Sequence, residues 1–363
     1  MTRTQVAAAA AVCAMAVVAS GQAVSTQDRL RTQPGLPSQP EPGTPQGIAT
    51  RPADRPAIPT YDDGTIETLH VQGNVYLVAG SGANVVVQRG SEGLLLVNTG
   101  PVRSAQAVLD GVRQITDAPI RLILSTSADE ELTGANEALS NAGKNINAGV
   151  GGPDGREPSR IDGAPIIATE ATLHRMSGVK GEPRREPFGV WPHLTFYGPQ
   201  NSRTFNGEVV EMRHVPAAHT DGDMFVWFRR SDVIAAGNLF STTTYPVIDL
   251  ERGGTVAGFL DALNDMLDIA VPAFNNQGGT RIVPGHGRIA NESDLAEYRD
   301  MVTIIRDRVA AMVENGMTLA QVRAARPTLD YDSIYANPGG AWTGERFLEA
   351  VYRDLSRSRA GTR

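Results

Sequence analysis

Apolar positions recur along this chain with two different periods. From Ile66 the runs IETLHVQGNVYLVAG, ANVVVQRG and GLLLVNTG are short, rich in β-branched residues and bounded by Gly and Asn, which predicts successive strands in a meander. The period then lengthens. SAQAVLDGVRQITDAPI carries Ala107, Val108, Val112 and Ile115 at helical spacing, and RLILSTS follows as a short, almost continuous apolar strand. Strand, helix and buried second strand make a βαβ unit, and open sheets of such units carry their chemistry at the carboxyl ends of the strands. The stretch LSTSADEELTGAN, Leu124 to Asn136, occupies such an end, with ELTGANEALSNAG expected as a helix there. NINAGVGGPDGREPSRIDGAP, Asn145 to Pro165 and so nearly all of the loop 144–164, is Gly/Pro-rich and long enough for a lid or for an insertion without a role.

The second half repeats this logic. EVVEMRHVPAA and MFVWFRRSDVIAAG are expected strands with HTDGD between them, and RIVPGHG is another strand ending in a tight turn. Strand ends therefore present Asp129 and Glu131, then His219, then His286. A helical tail is expected from Glu292 to about Asn315 and again from Gly344 to Ser356. Its first part places Leu295, Tyr298, Met301, Val302 and Ile305 on one face, the pattern of a helix packed on a sheet.

Composition narrows the function classes. With 363 residues and 41% hydrophobic content the chain can bury a sizeable core, as one large domain or two halves. A formal net charge of -7 offers no basic field for nucleic acid or an anionic membrane. Cys13 is the single cysteine, so the rest of the chain has no disulfide and no thiolate ligand, and any metal must rely on His, Asp or Glu. Cys13 lies in MTRTQVAAAAAVCAMAVVASGQA, a basic start, an Ala/Val run and small residues suited to cleavage after Ala23, which predicts a signal peptide over 1–23. The run is shorter than the ~20 residues that span a bilayer. Residues 24–60, rich in Pro and Gln, are expected as a disordered linker ahead of a domain over 61–358 in a secreted or periplasmic protein, with no membrane span once the signal is removed.

Three strings, GNVYLVAGSGANVVVQRGSEGLLLVNTGP, HTDGD with VIAAGNLF, and IVPGHG, resemble in order and spacing successive motifs of the metallo-β-lactamase fold superfamily, over about Ile66 to Ser356. The resemblance implies the α/β class, as an αββα four-layer sandwich of two β-sheets flanked by helices, with a shallow metal site at one edge of the sheets. Members hydrolyse β-lactams, thioesters, lactones and phosphoesters with metal-activated water. Their signature is a threonine followed by H-x-H-x-D-H at the strand end that here reads RLILST. Aligned on Thr126 and on Thr133 with Gly134, these positions hold Ser127, Asp129, Glu131 and Leu132, none of them the residue the resemblance implies. His219 and His286 match histidine ligands. Asn238 stands where an aspartate usually bridges two metals, and Asn98 replaces the aspartate usual before Thr-Gly.

A catalytic zinc needs about three protein ligands and an open position, and a paired site needs two such sets ~3.5–4 Å apart. Ser127 is a neutral hydroxyl, Leu132 has no lone pair and Asn238 lacks the bridging charge, so at most one metal, with zinc as the candidate, is expected. The paired site reads as eroded, leaving a non-catalytic protein that binds a small-molecule ligand in the edge cleft or serves as a structural module. The alternative is a divergent hydrolase with one metal on Asp129, Glu131, His219 and His286, acting on an ester, lactone or lactam, with Asp129 or Glu131 as general base. Asp129 is shorter than histidine and Glu131 longer than aspartate, which strains that fit. Without a metal, ADEEL reads as an acidic first helical turn. His70, His174, His193 and His214 are expected to be structural.

Overall fold

The computed structural model describes residues 65–145, 161–178, 186–274 and 278–361, so the expected signal peptide and linker, and most of the Gly/Pro-rich loop, lie outside the described residues. The apolar runs from Ile66 form the predicted meander of β1 (Glu67–Gln72), β2 (Val75–Ala79), β3 (Val85–Gly90) and β4 (Gly93–Val97), paired antiparallel in turn. Helix α1 (Ala105–Ile115) then crosses to β5 (Ile120–Leu124), parallel to β4, which is the expected βαβ unit. β6 (Ile166–Thr169) and β7 (Leu194–Phe196) continue the sheet in parallel, giving the order β1-β2-β3-β4-β5-β6-β7.

Behind β5 the structure differs from the single expected helix. The chain makes two short helices, α2 (Glu130–Thr133) and α3 (Asn136–Ala142), broken at Gly134 and Ala135. The cause lies in the loop after β4. Its Thr99 and Gly100 amides donate to the Leu132 carbonyl at 2.8 and 3.2 Å, and the Ala135 amide donates to the Gly100 carbonyl at 3.0 Å. Backbone groups that a continuous helix would pair along its own axis are spent on a neighbour. Helix α4 (Glu170–Ser177) follows β6.

The second sheet has the order β13-β12-β11-β10-β9-β8, from β8 (Gln200–Phe205), β9 (Glu208–Val215), β10 (Asp223–Phe228), β11 (Val233–Ser241), β12 (Arg281–His286) and β13 (Ala290–Asn291). MFVWFRRSDVIAAG is thus two strands. The chain reverses in the polar Arg229–Asp232 stretch, where Asp232 takes a left-handed φ of 53°, a conformation short polar side chains tolerate. Helix α5 (Val256–Ile269) was not anticipated, although its buried Val256, Phe259, Leu260, Leu263 and Met266 keep the helical period. The tail is α6 (Glu292–Glu314), α7 (Leu319–Ala325), α8 (Asp332–Tyr335) and α9 (Gly344–Gly361). Asn291 and Asp294 close a reciprocal capping box at the start of α6.

Strand alternation sorts the core into layers. Leu94 and Leu96 of β4 face Val108 and Val112 of α1 and Leu139 of α3, while Leu95 and Val97 point the other way, into a core shared with Met212, Val226 and Ala235 of the second sheet. Buried on both faces, β4 reads as the unbroken apolar run GLLLV. A third core joins Phe225 and Ile234 to Phe259, Tyr298 and Phe347 of the C-terminal helices. Two helix layers thus enclose two sheets, the expected αββα four-layer sandwich. Among the described residues no helix is long and apolar enough to cross a membrane.

Candidate functional site

Thr126, just past β5, ties the strand ends of both sheets together. Its amide and hydroxyl donate to Asn98 Oδ1 at 3.0 and 2.9 Å, and its carbonyl accepts from the Met224 amide of β10 at 2.9 Å. Asn98 adopts a left-handed φ of 64° to make this clasp. Gly237 in β11 also takes a left-handed φ of 54°, and a Cβ there would fall 2.3 Å from Thr126 Oγ1, so only glycine permits the approach. That approach brings the next residue, Asn238, to within hydrogen-bonding distance of Asp129. From the other side Asn84 holds the β12 turn: its amide donates to the Gly285 carbonyl, and its side chain to Pro284 and Gly287, all at 2.9 Å.

On this frame the expected residues meet in two pairs. Asp129 Oδ2 accepts from His219 Nε2 at 2.7 Å, from Asn238 Nδ2 at 2.7 Å and from the Ser127 hydroxyl at 3.1 Å. The Arg252 guanidinium lies 3.5 Å from Asp129 Oδ1 and 3.4 Å from Asp249. Glu131 pairs separately with His286 at 3.3 Å, with half of its side chain exposed. Leu132 is fully buried. Asp129 occupies the cap position of α2, yet its side chain bonds none of that helix's amides. The reading of Asp129 as a helix-end acid therefore gives way to a cross-cleft contact, for a reason of length: α2 has four residues and little dipole to offer.

His219 is oriented like a metal-binding histidine. Its Nδ1 donates to the Val247 carbonyl at 2.8 Å, which aims Nε2 into the cleft. There Nε2 meets the Asp129 carboxylate. Both ring nitrogens face acceptors, an arrangement that favours the doubly protonated, charged ring. Burial opposes that charge, but the Asp223 carboxylate, the hydrogen bond and charge of Asp129 and the Val247 carbonyl outweigh it and hold the imidazole up at about 10. For Asp129 burial also opposes ionisation, and His219, Ser127 and Arg252 together bring the carboxyl down to about 2. Asp223 is fully buried and accepts from the Thr220 hydroxyl at 2.9 Å; burial pushes its carboxyl up, against the pull of His219.

Sequence reasoning missed Arg252, Asp223, Val247 and Asn84. Asp223 lay in view, as the last residue of HTDGD. The others carry no local signal, since each acts on a partner 28 to 203 residues away. Three of the remaining histidines bond backbone: His70 to the Gly73 carbonyl, His214 to the Asp221 carbonyl, and His193 Nδ1 accepts from the Ile166 amide. His174 lies 3.8 Å from Glu170 on the surface of α4.

No family model and no curated protein matches the chain's sequence. Solved structures do resemble it in shape. The stereoselective inverting sec-alkylsulfatase Pisa1 from Pseudomonas sp. superposes with a TM-score of 0.57 at 17% identity, over 79% of this chain and 50% of its own. A metallo-β-lactamase from Pontibacter korlensis gives 0.49 at 13% identity, over 66% of this chain and 99% of its own. The chain spans about half the length of the alkylsulfatase. The αββα two-sheet sandwich is the architecture that the motif resemblance implies, and at 17% identity the likeness to the alkylsulfatase is one of fold alone.

The motif resemblance implies a zinc centre, and the donor set here does not fit one. Zinc needs lone pairs directed inward. The cleft instead directs N–H and O–H groups of His219, Asn238 and Ser127 at one carboxylate oxygen. Asp129, Glu131, His219 and His286 do not form one cluster; among the described residues no three His, Cys, Asp or Glu side chains are gathered to hold a metal.

Proposed function

We infer that this is a metallo-β-lactamase-fold protein whose paired metal site is eroded and whose edge cleft binds a small molecule without metal chemistry, in a secreted or periplasmic setting. The observation that carries the reading is the His219–Asp129 ion pair at 2.7 Å, which spends the ring nitrogen that would otherwise be offered to a cation. A carboxylate that already accepts three hydrogen bonds and titrates near 2 is also a weak general base, which argues against Asp129 in a catalytic role. Purified protein, dialysed without chelator, should carry well under one equivalent of zinc by elemental analysis. Two tightly held metals per chain would overturn the reading.

A second reading rests on Glu131. Half-exposed and 3.3 Å from His286, it is the carboxylate placed to take a proton from water in a divergent hydrolase of an ester, lactone or lactam, such as the alternative with a single metal or none. Glu131→Gln would then abolish any hydrolysis found in a screen of generic esters and lactams, while leaving the fold intact. Activity that survives the substitution removes Glu131 from the reaction.

A further inference from the structure

Asp129 is held by donors that do not belong to its own helix. Each is positioned by an independent constraint: His219 by the Val247 carbonyl, Asn238 by the close passage of Gly237 over Thr126, and Ser127 by the Asn98 clasp on its neighbour Thr126. The His219 side chain is only 7% exposed, and the Arg252 guanidinium lies 3.5 Å from Asp129 Oδ1. Asp129 contributes nothing to capping α2, so its carboxylate could leave without loss to the helix end. What would remain is a fixed set of N–H and O–H groups converging on a point about the size of one carboxylate.

We propose that the cleft is an oxyanion-binding site for a small carboxylate, and that the chain's own Asp129 carboxylate sits in it as an intramolecular ligand. The inference rests on the metal-free reading of the cleft and names the class of ligand it takes. Hydrogen bonds from the His219 ring, the Asn238 amide and the Ser127 hydroxyl, beside a guanidinium, suit a planar monoanion. A tethered carboxylate acts at an effective concentration on the order of millimolar or above, so a free anion enters only if it brings further contacts or if the tether is removed.

Removing the tether is the experiment. Asp129→Gly deletes a methylene and a carboxylate, which acetate can replace, and glycine suits the cap position. Thermal unfolding and calorimetric titration with sodium acetate, matched in ionic strength by sodium chloride, should show saturable, acetate-specific stabilisation of Asp129→Gly and none of the parent. Adding Asn238→Ala to that variant should weaken acetate binding about tenfold, the effect expected of one hydrogen bond to a charged group. If Asp129→Gly does not fold in chloride, acetate should restore the fold, and Asp129→Ala with formate repeats the measurement with a smaller deletion. Indifference of both variants to carboxylates beyond the chloride control overturns the proposal. Zinc analysis of the same samples keeps the two readings apart: bound zinc defeats the metal-free cleft whatever acetate does, whereas zinc-free protein that ignores acetate defeats only the anion site.

Discussion

His219 Nε2 and Asp129 Oδ2 stand 2.7 Å apart, joined across 90 residues of sequence at the edge where the two sheets meet. The side chains are 7% and 17% exposed, so the pair is largely withdrawn from water. Breaking a buried pair from one side strands the other charge, which costs about 3–5 kcal/mol, whereas removing both partners costs much less. Asp129→Asn and His219→Gln should therefore each lose stability in that range. The double variant should lose clearly less than the sum, and a double-mutant cycle from urea unfolding measures the difference. Strict additivity would show that the two side chains do not act as a pair.

Stability should depend on pH through the same contact. His219 is held up at about 10 against an ordinary 6.5, so its protonated form stabilises the fold in full below 6.5, and this is lost as pH rises through 10. Asp129 is held down at about 2 against 3.8, so its ionised form stabilises above 3.8, and this is lost as pH falls through 2. The pair contributes most between 3.8 and 6.5. Urea midpoints should fall as pH rises from neutrality to 10 and should fall less in Asp129→Asn. A parent midpoint flat over that interval means His219 is neutral in the folded protein.

Gly237 tests the frame beneath the site. Its left-handed backbone alone makes Gly237→Ala about 1–2 kcal/mol unfavourable, and the approach to Thr126 Oγ1 adds to this. The expected result is a lower urea midpoint together with a shift of the Asn238 side-chain amide resonances, because β11 must retreat from Thr126. An unperturbed Asn238 signal would separate its placement from the glycine.

Restoring the missing ligands asks whether the strand ends still hold the geometry of a metal centre. Ser127→His, Asp129→His, Glu131→Asp, Leu132→His and Asn238→Asp in one chain should raise zinc affinity by orders of magnitude, since His219 is already oriented by Val247. Leu132 is fully buried, so its replacement carries the main folding cost. Reverting His219 to alanine should erase the gain. A folded five-fold variant with the parent's zinc content means that the strand ends have moved apart or that the register taken at Thr126 is wrong.

The layers were legible from local pattern: short apolar runs in VVVQRG and GLLLV, helical spacing in AQAVLDGVRQI and in the Glu292–Glu314 helix, because each depends on residues within a turn or two of one another. The strings around Thr126, His219, Asn238 and His286 likewise marked which residues reach one edge of the sheets. Periodicity could not say that Asp129 turns from its own helix to His219, that Glu131 pairs apart from it with His286, or that Arg252 comes within 3.5 Å of Asp129. Nor could it break the helix at Gly134, where amides of the preceding loop claim the Leu132 carbonyl. A carboxylate bonds whichever donors the fold brings within about 3 Å. That choice is made by strand ends distant in sequence, so the sequence by itself determined the layers and the residues at the edge, and only the tertiary structure decided that those residues bind one another.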